Sequence, residues 1–378
     1  MTITLGLEEE LQVVGDSSLA LEAHDVEAGR RAVPDFAGTS TCEIHYCALE
    51  VQTPVCRSVD SLIGSLAHMR GVAAARARLQ NQHVLAAGLH PFSDWRTQAL
   101  REDPLAYPHY AGLLGEYADV ARGAMSFGLH LHFGLPDVRT RMAVMNRLRE
   151  RLPCVLALSA SAPFEGGRDT GLQSWRHAML DRYPRMGVPA VWASDAEYSA
   201  HIERLRKVGV LNSDQGLWED LRVHHRYGTL EVRICDATPS LERIWVIAAL
   251  LLCEVHTLDR EVRTGRALPT LPAALIAENR WRARRHGTAA PFIDWHQDEV
   301  VPGAEHFARW LNRLTPAAEA LGLLPALVAR LEQVLQAGTS AEQQRAVVAA
   351  GGSMQDVVRQ LIEETAQPLA GVTGRAWV

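Results

Sequence analysis

Glu8 and Glu10 stand two residues apart in Ile3-Thr-Leu-Gly-Leu-Glu-Glu-Glu-Leu-Gln-Val13, where Leu5, Leu7, Leu11 and Val13 alternate with Gly6, Glu8, Glu10 and Gln12. Read at the strand period of two, the apolar residues share one face and the two carboxylates the other. The carboxylates are then about 7 Å apart along the strand. Like charges at that range repel, so a semi-enclosed pair needs a cation between them or a proton on one of them. Glu9 falls on the apolar face, where a structural ion pair is expected of it and not ligation.

Further stretches carry the same design. Ala48-Leu-Glu-Val-Gln-Thr53 sets Glu50 and Gln52 against Leu49 and Val51, and Gly128-Leu-His-Leu-His-Phe-Gly134 sets His130 and His132 against Leu129, Leu131 and Phe133. Thr229-Leu-Glu-Val-Arg-Ile234 sets Glu231 and Arg233 against Leu230, Val232 and Ile234. The weakest member is His83-Val-Leu-Ala-Ala-Gly-Leu-His90, a buried strand running into a Pro91-Phe92 loop. Alone, any such stretch is ordinarily a half-exposed antiparallel strand with a solvated polar face. Solvated faces usually carry Thr, Ser, Lys and mixed charges, yet no lysine occurs in any of these segments. Glu and His recur instead, the oxygen and nitrogen donors that hold cations, so the set reads as an active site lining a sheet.

Composition narrows the function classes. With 378 residues the chain suits one elaborate domain or two intimate ones, and 47% hydrophobic with 22% charged residues places it among ordinary globular proteins. A net charge of -6 lacks the basic footprint that nucleic acid or an anionic membrane surface requires. Any bound phosphate must therefore be neutralised locally, by metal ions and a few arginines. The longest apolar run, Ile244 to Cys253, is too short to cross a bilayer, and no signal segment precedes the first strand, so a cytoplasmic protein is expected. The six cysteines form no framework for this length and are read as reduced thiols. Cys42-Glu-Ile-His45-Tyr-Cys47 lacks the second ligand pair of a zinc site. Cys235 shares a parity with Glu231 and Arg233, but with no base nearby it is expected to pack in the core.

These residues need a sheet, and the sheet needs helices behind it. Ser58 caps a helix predicted to run to about Gln82 through Leu62, Leu66, Met69, Ala73 and Leu79. Residues 15–40 are expected to form a short hairpin or loop region, and residues 93–124 a loop with a helix around Tyr107 to Tyr117. A helix with a basic outer face is predicted over Val138 to Arg151, and after the Pro153 punctuation a second over Leu152 to Ala162. Residues 163–197 show no periodicity and are dense in Gly, Pro and Arg, the composition of a functional lid. Asp236 to Arg263 is predicted as one long amphipathic helix, followed by a helical C-terminal part from about residue 265 that Gly351-Gly352 interrupts. Without repeats or linkers, a single domain over residues 1–378 is expected. Alternating strands intermixed with helices predict an α+β fold on a largely antiparallel sheet.

Seven motifs then fall in order: Gly6-Leu-Glu-Glu-Glu10, Leu49-Glu-Val-Gln-Thr-Pro54, Gly88-Leu-His-Pro-Phe92, Gly128-Leu-His-Leu-His-Phe-Gly-Leu-Pro-Asp137, Ser159-Ala-Ser-Ala-Pro-Phe164, Asp169-Thr-Gly-Leu-Gln-Ser-Trp-Arg176 and Tyr227-Gly-Thr-Leu-Glu-Val-Arg-Ile-Cys-Asp236. Together they resemble the glutamate-cysteine ligase type 2, or YbdK-like, carboxylate-amine ligases over nearly the whole chain. The resemblance implies a catalytic domain of the glutamine synthetase and guanidino kinase type, an antiparallel sheet forming a funnel with helices behind it. It also implies ATP and Mg2+, small-molecule substrates, and a homodimer or larger homo-oligomer. Residue by residue, it implies metal ligation by Glu8, Glu10, Glu50, His130 and Glu231, and contact of Arg233 with the transferred phosphate, which makes Glu231 and Arg233 the implied catalytic pair. His132 matches a further site-lining, substrate-binding position, and Arg176 and Arg222 match arginines suited to an amino acid's carboxylate. The chain departs from the family at Leu217-Trp-Glu-Asp-Leu-Arg222, where relatives often carry Trp-Asp-Val-Arg-Pro, and this leaves acid and amine specificity open.

The residue types agree with that chemistry. A carboxylate condenses with an amine in water only after one of its oxygens becomes a leaving group, and phosphorylation by ATP provides one; the transfer is a problem of positioning and charge neutralisation. The leading expectation is an ATP-dependent ligase joining a carboxylate, with glutamate's γ-carboxylate foremost, to an amine such as that of cysteine. Against it stands a metal-dependent hydrolase of amides or phosphate esters, which would turn over without nucleotide. A non-catalytic sensor is the third class, and carboxylates gathered on one face argue against it. Arg176 and Arg222 stand open between substrate clamp and structural salt bridge, and His132 between site and core. His90 is expected to be a satisfied core histidine, and Asp236 a cap or a buried partner for an arginine.

Overall fold

Every strand that pairs in the main sheet does so antiparallel to its neighbours, as the alternating pattern requires. The computed structural model describes residues 3–35, 38–135, 137–211, 217–266 and 269–368. Its 7-stranded sheet consists of β1 (Thr4–Gly15), β2 (Thr39–Cys42), β3 (Ala48–Gln52), β4 (Gln82–Leu85), β5 (Gly128–Gly134), β6 (Leu221–His224) and β7 (Thr229–Asp236). The order is β6-β7-β5-β1-β3-β2, with β4 also paired to β1. Register brings the polar positions of separate strands side by side. Glu10 lies opposite Glu50, Glu8 opposite His130, and Glu231 opposite His132.

The other face is apolar and carries the core. Leu5, Leu7, Leu11, Leu49, Val51, Leu129, Leu131, Phe133, Leu230 and Val232 are all buried there. Behind them pack the helices Val59–Arg78 and Leu241–Arg263, whose buried Leu62, Leu66, Met69, Ile244, Ile247 and Leu251 belong to the same cluster. Ser58 starts the first helix with a reciprocal capping box to Ser61, and Ser240 starts the second by accepting from the Arg243 N–H. Glu9 points into this core, where it meets Arg70 across two short contacts, Nε to Oε2 at 2.7 Å and Nη2 to Oε1 at 2.6 Å. The ion pair expected of Glu9 is therefore found, and its partner comes from the helix behind the sheet.

A bulge in β7 changes the parity read from sequence. Val232 faces Leu131 and Cys235 faces Leu129, so three steps along β7 match two along β5 and one extra residue lies at Arg233-Ile234. Beyond it Cys235 turns into the core and Asp236, opposite Gly128, turns toward Arg176. The roles expected of both residues hold, although the simple alternation put each on the wrong face.

Other elements differ from expectation at their ends. The fourth strand is confined to Gln82–Leu85, because Ala86 N–H donates to Thr365 Oγ1 and Gly88 N–H to Ser161 Oγ in place of a ladder. The long helix begins at Leu241, not Asp236, since Asp236 belongs to β7. Residues 15–40 contain a helix, Val26–Ala32, capped by Asp25. Within residues 163–197 there is a small hairpin, Phe164–Glu165 with Arg168–Asp169, and a short helix, Arg176–Leu180. The C-terminal part is helical as predicted, with Ser340–Ala349 and Met354–Thr365 on either side of Gly351-Gly352, and it also holds a hairpin at Phe292–Asp294 and Glu299–Val301. Pro136, expected to close β5, and residues 369–378 lie outside the described residues. Among the described residues no helix is long and apolar enough to cross a membrane.

Candidate active site

On the polar face of the sheet is a cavity of about 770 Å³, lined by Glu8, Glu10, Glu43, Glu50, His130, Arg176, Arg222 and Arg233 among others. Seven of these eight are residues singled out from sequence. Glu231 and His132 lie behind this lining, Glu231 fully buried against Arg222 and Arg233 and His132 nearly buried beside Glu8.

The acids divide into two groups of donors. Glu10, Glu43 and Glu50 each offer a ligand atom within 4.8 Å of the others', and so do Glu8, His132 and Glu231. In the first group, burial and then the charges of Glu8 and Glu10 push Glu50 up to about 7, although Gln52 and Thr41 both donate to it. Glu43 is raised well above its usual value, by burial and then by Glu50 and Glu10. Glu10 accepts from the Gly128 N–H at 2.5 Å. Burial and mutual repulsion both favour the protonated form of Glu43 and Glu50, so the group is a site that a hard divalent cation would relieve.

The second group is balanced by cations of the protein itself. Burial alone would raise Glu8, and His130 and His132 outweigh it and hold the carboxylate low. His130 Nδ1 lies 3.5 Å from Glu8 Oε2 and 3.9 Å from Glu231 Oε1. His132 fixes its Nδ1 against Thr229 Oγ1 at 2.9 Å, and its buried Nε2 has no hydrogen-bond partner among the described residues while standing 3.6 Å from Glu8 Oε1. An orphaned imidazole nitrogen between two carboxylates has the arrangement of a metal ligand whose other nitrogen is oriented by a hydroxyl. His132 thus joins the donor group, beyond the lining role expected for it.

Glu231 is held well below its ordinary value: burial opposes this, and Arg233 and Arg222 dominate. Arg222 grips both of its oxygens, Nε to Oε2 at 2.6 Å and Nη2 to Oε1 at 3.3 Å, and also donates to Leu217 O. Arg233 Nη1 reaches the same Oε1. The guanidinium expected to clamp a substrate carboxylate at Arg222 is therefore bound to a carboxylate of the protein. Arg176 lies deeper, with Nη1 donating to Cys235 O at 3.3 Å and standing 3.7 Å from Asp236 Oδ1. Only a glycine at position 128 admits it, since a Cβ there would lie 2.4 Å from Arg176 Nη2. Asp236 is itself pushed up to about 6 by burial, against the pull of Arg176, and accepts from Ser161 N–H and Ser174 Oγ. His90 is satisfied in the core, with Nε2 donating to Leu19 O and Nδ1 accepting from Ser93 N–H.

Sequence reading missed Glu43. It follows β2 by one residue, two beyond Thr41, which stands opposite Glu50, so strand parity continued past the end of β2 is the one signal that pointed to it. An aromatic wall was missed as well: Tyr183 and Trp218 line the cavity with ring centroids 5.0 Å apart, and Tyr117 packs edge-on against both.

Comparison with known proteins shows the family of the chain. The profile of the family described as glutamate-cysteine ligase family 2 matches residues 4–363. A protein of Herpetosiphon aurantiacus named "Putative glutamate--cysteine ligase 2" is 35% identical over 367 residues, 96% of this chain and 93% of its own. One of the same name from Rhodospirillum rubrum is 36% identical over 98% of this chain and 97% of its own. Among solved structures, glutamate-cysteine ligase of Francisella tularensis in complex with AMP matches with a TM-score of 0.70 at 12% identity, over 98% of this chain and 91% of that one. The bifunctional glutathione synthetase of Pasteurella multocida also gives 0.70, at 17% identity over 96% of this chain, which spans 52% of that longer one. These structural likenesses show a shared α+β fold. With the family profile covering nearly all of the sequence, the chain belongs to glutamate-cysteine ligase family 2.

Proposed function

We propose that this protein is an ATP-dependent carboxylate-amine ligase that works through an acyl phosphate, with glutamate and cysteine as the leading acid and amine. The observation that carries the reading is a pair of oxygen- and nitrogen-donor groups at one cavity, Glu10, Glu43 and Glu50 in its lining and Glu8 in the lining with His132 and Glu231 buried behind it, with Arg233 bound to Glu231. The donor types fit Mg2+: Glu10, Glu43 and Glu50 would hold one ion, and Glu8, His132 and Glu231, with His130 beside them, another. Bound there, Mg2+ would neutralise and orient the phosphates of ATP.

The chain's own residues do the rest. An oxygen of the acid attacks the γ-phosphorus, the bond to the ADP oxygen breaks, and the equatorial oxygens gather charge that the Arg233 guanidinium meets. Glu231 aims that guanidinium, and Arg222 holds Glu231. Arg176 is the cation for the acid's remaining carboxylate, because its Nη2 projects past Gly128. The amine then attacks the acyl carbon and phosphate leaves. Water must be kept from the acyl phosphate meanwhile, a role for the segment 163–197, from which Arg176, His177, Leu180, Tyr183 and Met186 line the cavity.

The test is ADP release by the purified protein over paired acids and amines, with hydroxylamine trapping the acyl phosphate as a hydroxamate. Hydroxamate formed only with ATP, Mg2+ and a particular acid supports the reading. Amide or ester hydrolysis that proceeds without nucleotide would replace it with the hydrolase.

A further inference from the structure

We infer that His177 and Arg280 are positioning residues that hold the β7 bulge and thereby aim Arg233 at the migrating phosphoryl group. The inference rests on the role proposed above for Arg233. It starts from the backbone of Arg233 and Ile234, the two residues of β7 that share the bulge and are out of step with the β5 ladder. A bulge leaves main-chain groups that need other partners, and buried ones rarely go without. Arg233 N–H donates to Asp220 O at 2.9 Å, just before β6. Ile234 O accepts from His177 Nε2 at 2.5 Å.

Both partners are held by one guanidinium. Arg280 comes from the helix Ala273–His286 of the C-terminal part and is buried beneath the cavity. Its Nη2 donates to His177 Nδ1 at 3.1 Å and to Asp220 Oδ1 at 3.3 Å, its Nε stands 2.8 Å from Asp220 Oδ2, and its Nη1 donates to Asp181 Oδ1 at 2.9 Å. Arg280 donates to Nδ1, and of the two groups at Nε2, Ile234 O at 2.5 Å and Arg176 Nη1 at 3.2 Å, the carbonyl is the nearer, so the proton of a neutral His177 is assigned to Nε2, where it serves Ile234 O. Burial, then the charges of Arg280 and Arg176, keep His177 neutral. Two routes thus run from Arg280 to the bulge, one through His177 to Ile234 O and one through the Asp220 side chain to the residue whose carbonyl takes the Arg233 N–H.

Stability alone does not explain such a network, since buried charges commonly contribute no more than well-packed apolar residues of the same volume. Direction does. A planar fork reaching three partners fixes their relative orientation, which a lysine's single ammonium cannot. Moving the bulge by a fraction of an ångström would swing the Arg233 fork, and misplacement of that order is costly where catalysis depends on preorganised charge.

Three substitutions test this. His177→Asn keeps an acceptor near the Nδ1 position for Arg280 and removes the donor to Ile234 O, His177→Gln keeps a donor near Nε2, and Arg280→Lys keeps charge without the fork. With ATP, Mg2+, glutamate and cysteine, His177→Asn and Arg280→Lys should each lower kcat by about tenfold to a hundredfold. KM for ATP should stay within about twofold of the wild type, and His177→Gln should come back to within about threefold of wild-type kcat. Amide hydrogen exchange over residues 233–235 should accelerate in His177→Asn and not in His177→Gln, and it decides the matter even where turnover of that substrate pair is low. Wild-type kcat in folded His177→Asn and Arg280→Lys, or equal losses in the Asn and Gln variants with unchanged exchange, overturns the inference. Arg233→Lys run alongside separates the two claims. A loss there with none in the other variants removes the positioning role and keeps the role of Arg233, whereas wild-type turnover in Arg233→Lys removes both.

Discussion

Glu10 stands directly opposite Glu50 across the β1–β3 ladder, so two acids 40 residues apart in the chain become nearest neighbours on one face. Like charges so placed destabilise a sheet unless something neutralises them. Glu50→Gln should therefore leave the metal-free protein at least as stable as the wild type in thermal melts. Mg2+-dependent turnover should fall by no less than the roughly 10–100-fold typical of losing even an outer partner of a metal ligand. Glu8→Gln should lose turnover in the same way, and full activity in either folded variant would sink the metal assignment.

If a metal ion binds as proposed, proton and metal compete at Glu43 and Glu50. Glu50 is raised to about 7 and Glu43 well above its ordinary 4.5, so the folded protein binds more protons than the unfolded chain between about 4.5 and 7. Stability from these groups is fully present below the unfolded value and is lost as pH rises through about 7. Melting with and without Mg2+ from pH 5.5 to 8.5 should show the metal-free curve declining and the Mg2+-induced increment growing with pH. An increment independent of pH would contradict cation binding at these acids.

Arg233→Lys should damage turnover far more than nucleotide affinity. Lysine keeps the charge and loses the fork that Glu231 aims. A contact made chiefly in the transition state lowers kcat with little change in KM, and a loss of roughly a hundredfold is typical of such donors. Steady-state kinetics with ATP as the varied substrate measures it. A change confined to KM for the amino acid would place Arg233 in substrate binding.

Gly128→Ala should act on the acid substrate. The added methyl would lie 2.4 Å from Arg176 Nη2 and 3.1 Å from His130 Nε2, so the guanidinium has to move while the strand itself need not. We expect KM for the carboxylate substrate to rise by about tenfold or more, the scale of one charge-assisted hydrogen bond. KM for ATP should change little. The reverse pattern would assign Arg176 to the nucleotide.

Glu9 and Arg70 should behave unlike every residue in the cavity. Arg70→Ala leaves the Glu9 carboxylate buried without its partner, and such losses cost about 3–5 kcal/mol. The double change Glu9→Leu with Arg70→Met should recover much of that, because well-packed apolar groups replace buried pairs at little cost. Chemical denaturation of the two variants measures the difference.

Strand period makes much of this protein legible in its amino-acid order. Alternation is local, set by the backbone within a few residues, so it places Glu8, Glu10, Glu50, His130, Glu231 and Arg233 on polar faces and Glu9 on an apolar one, as found. Residue type then narrows the chemistry, because carboxylates and imidazoles without lysine suit cations and not bare solvent. What the strands do to each other is a different matter. Sequence contains no measure of which strand lies beside which, and only closure of the β1, β3, β5 and β7 ladders brings the acids into two groups. The single extra residue in β7 reverses the faces of Cys235 and Asp236, an event no alternation can announce because it arises from pairing with β5. Arg70 and Glu9 are 61 residues apart, Arg280 and His177 are 103 apart, and Arg222 faces Glu231 from the next strand. Such partnerships form only when the chain has closed around a core, so tertiary structure alone decided which charges meet in donor groups and which are paired within the protein.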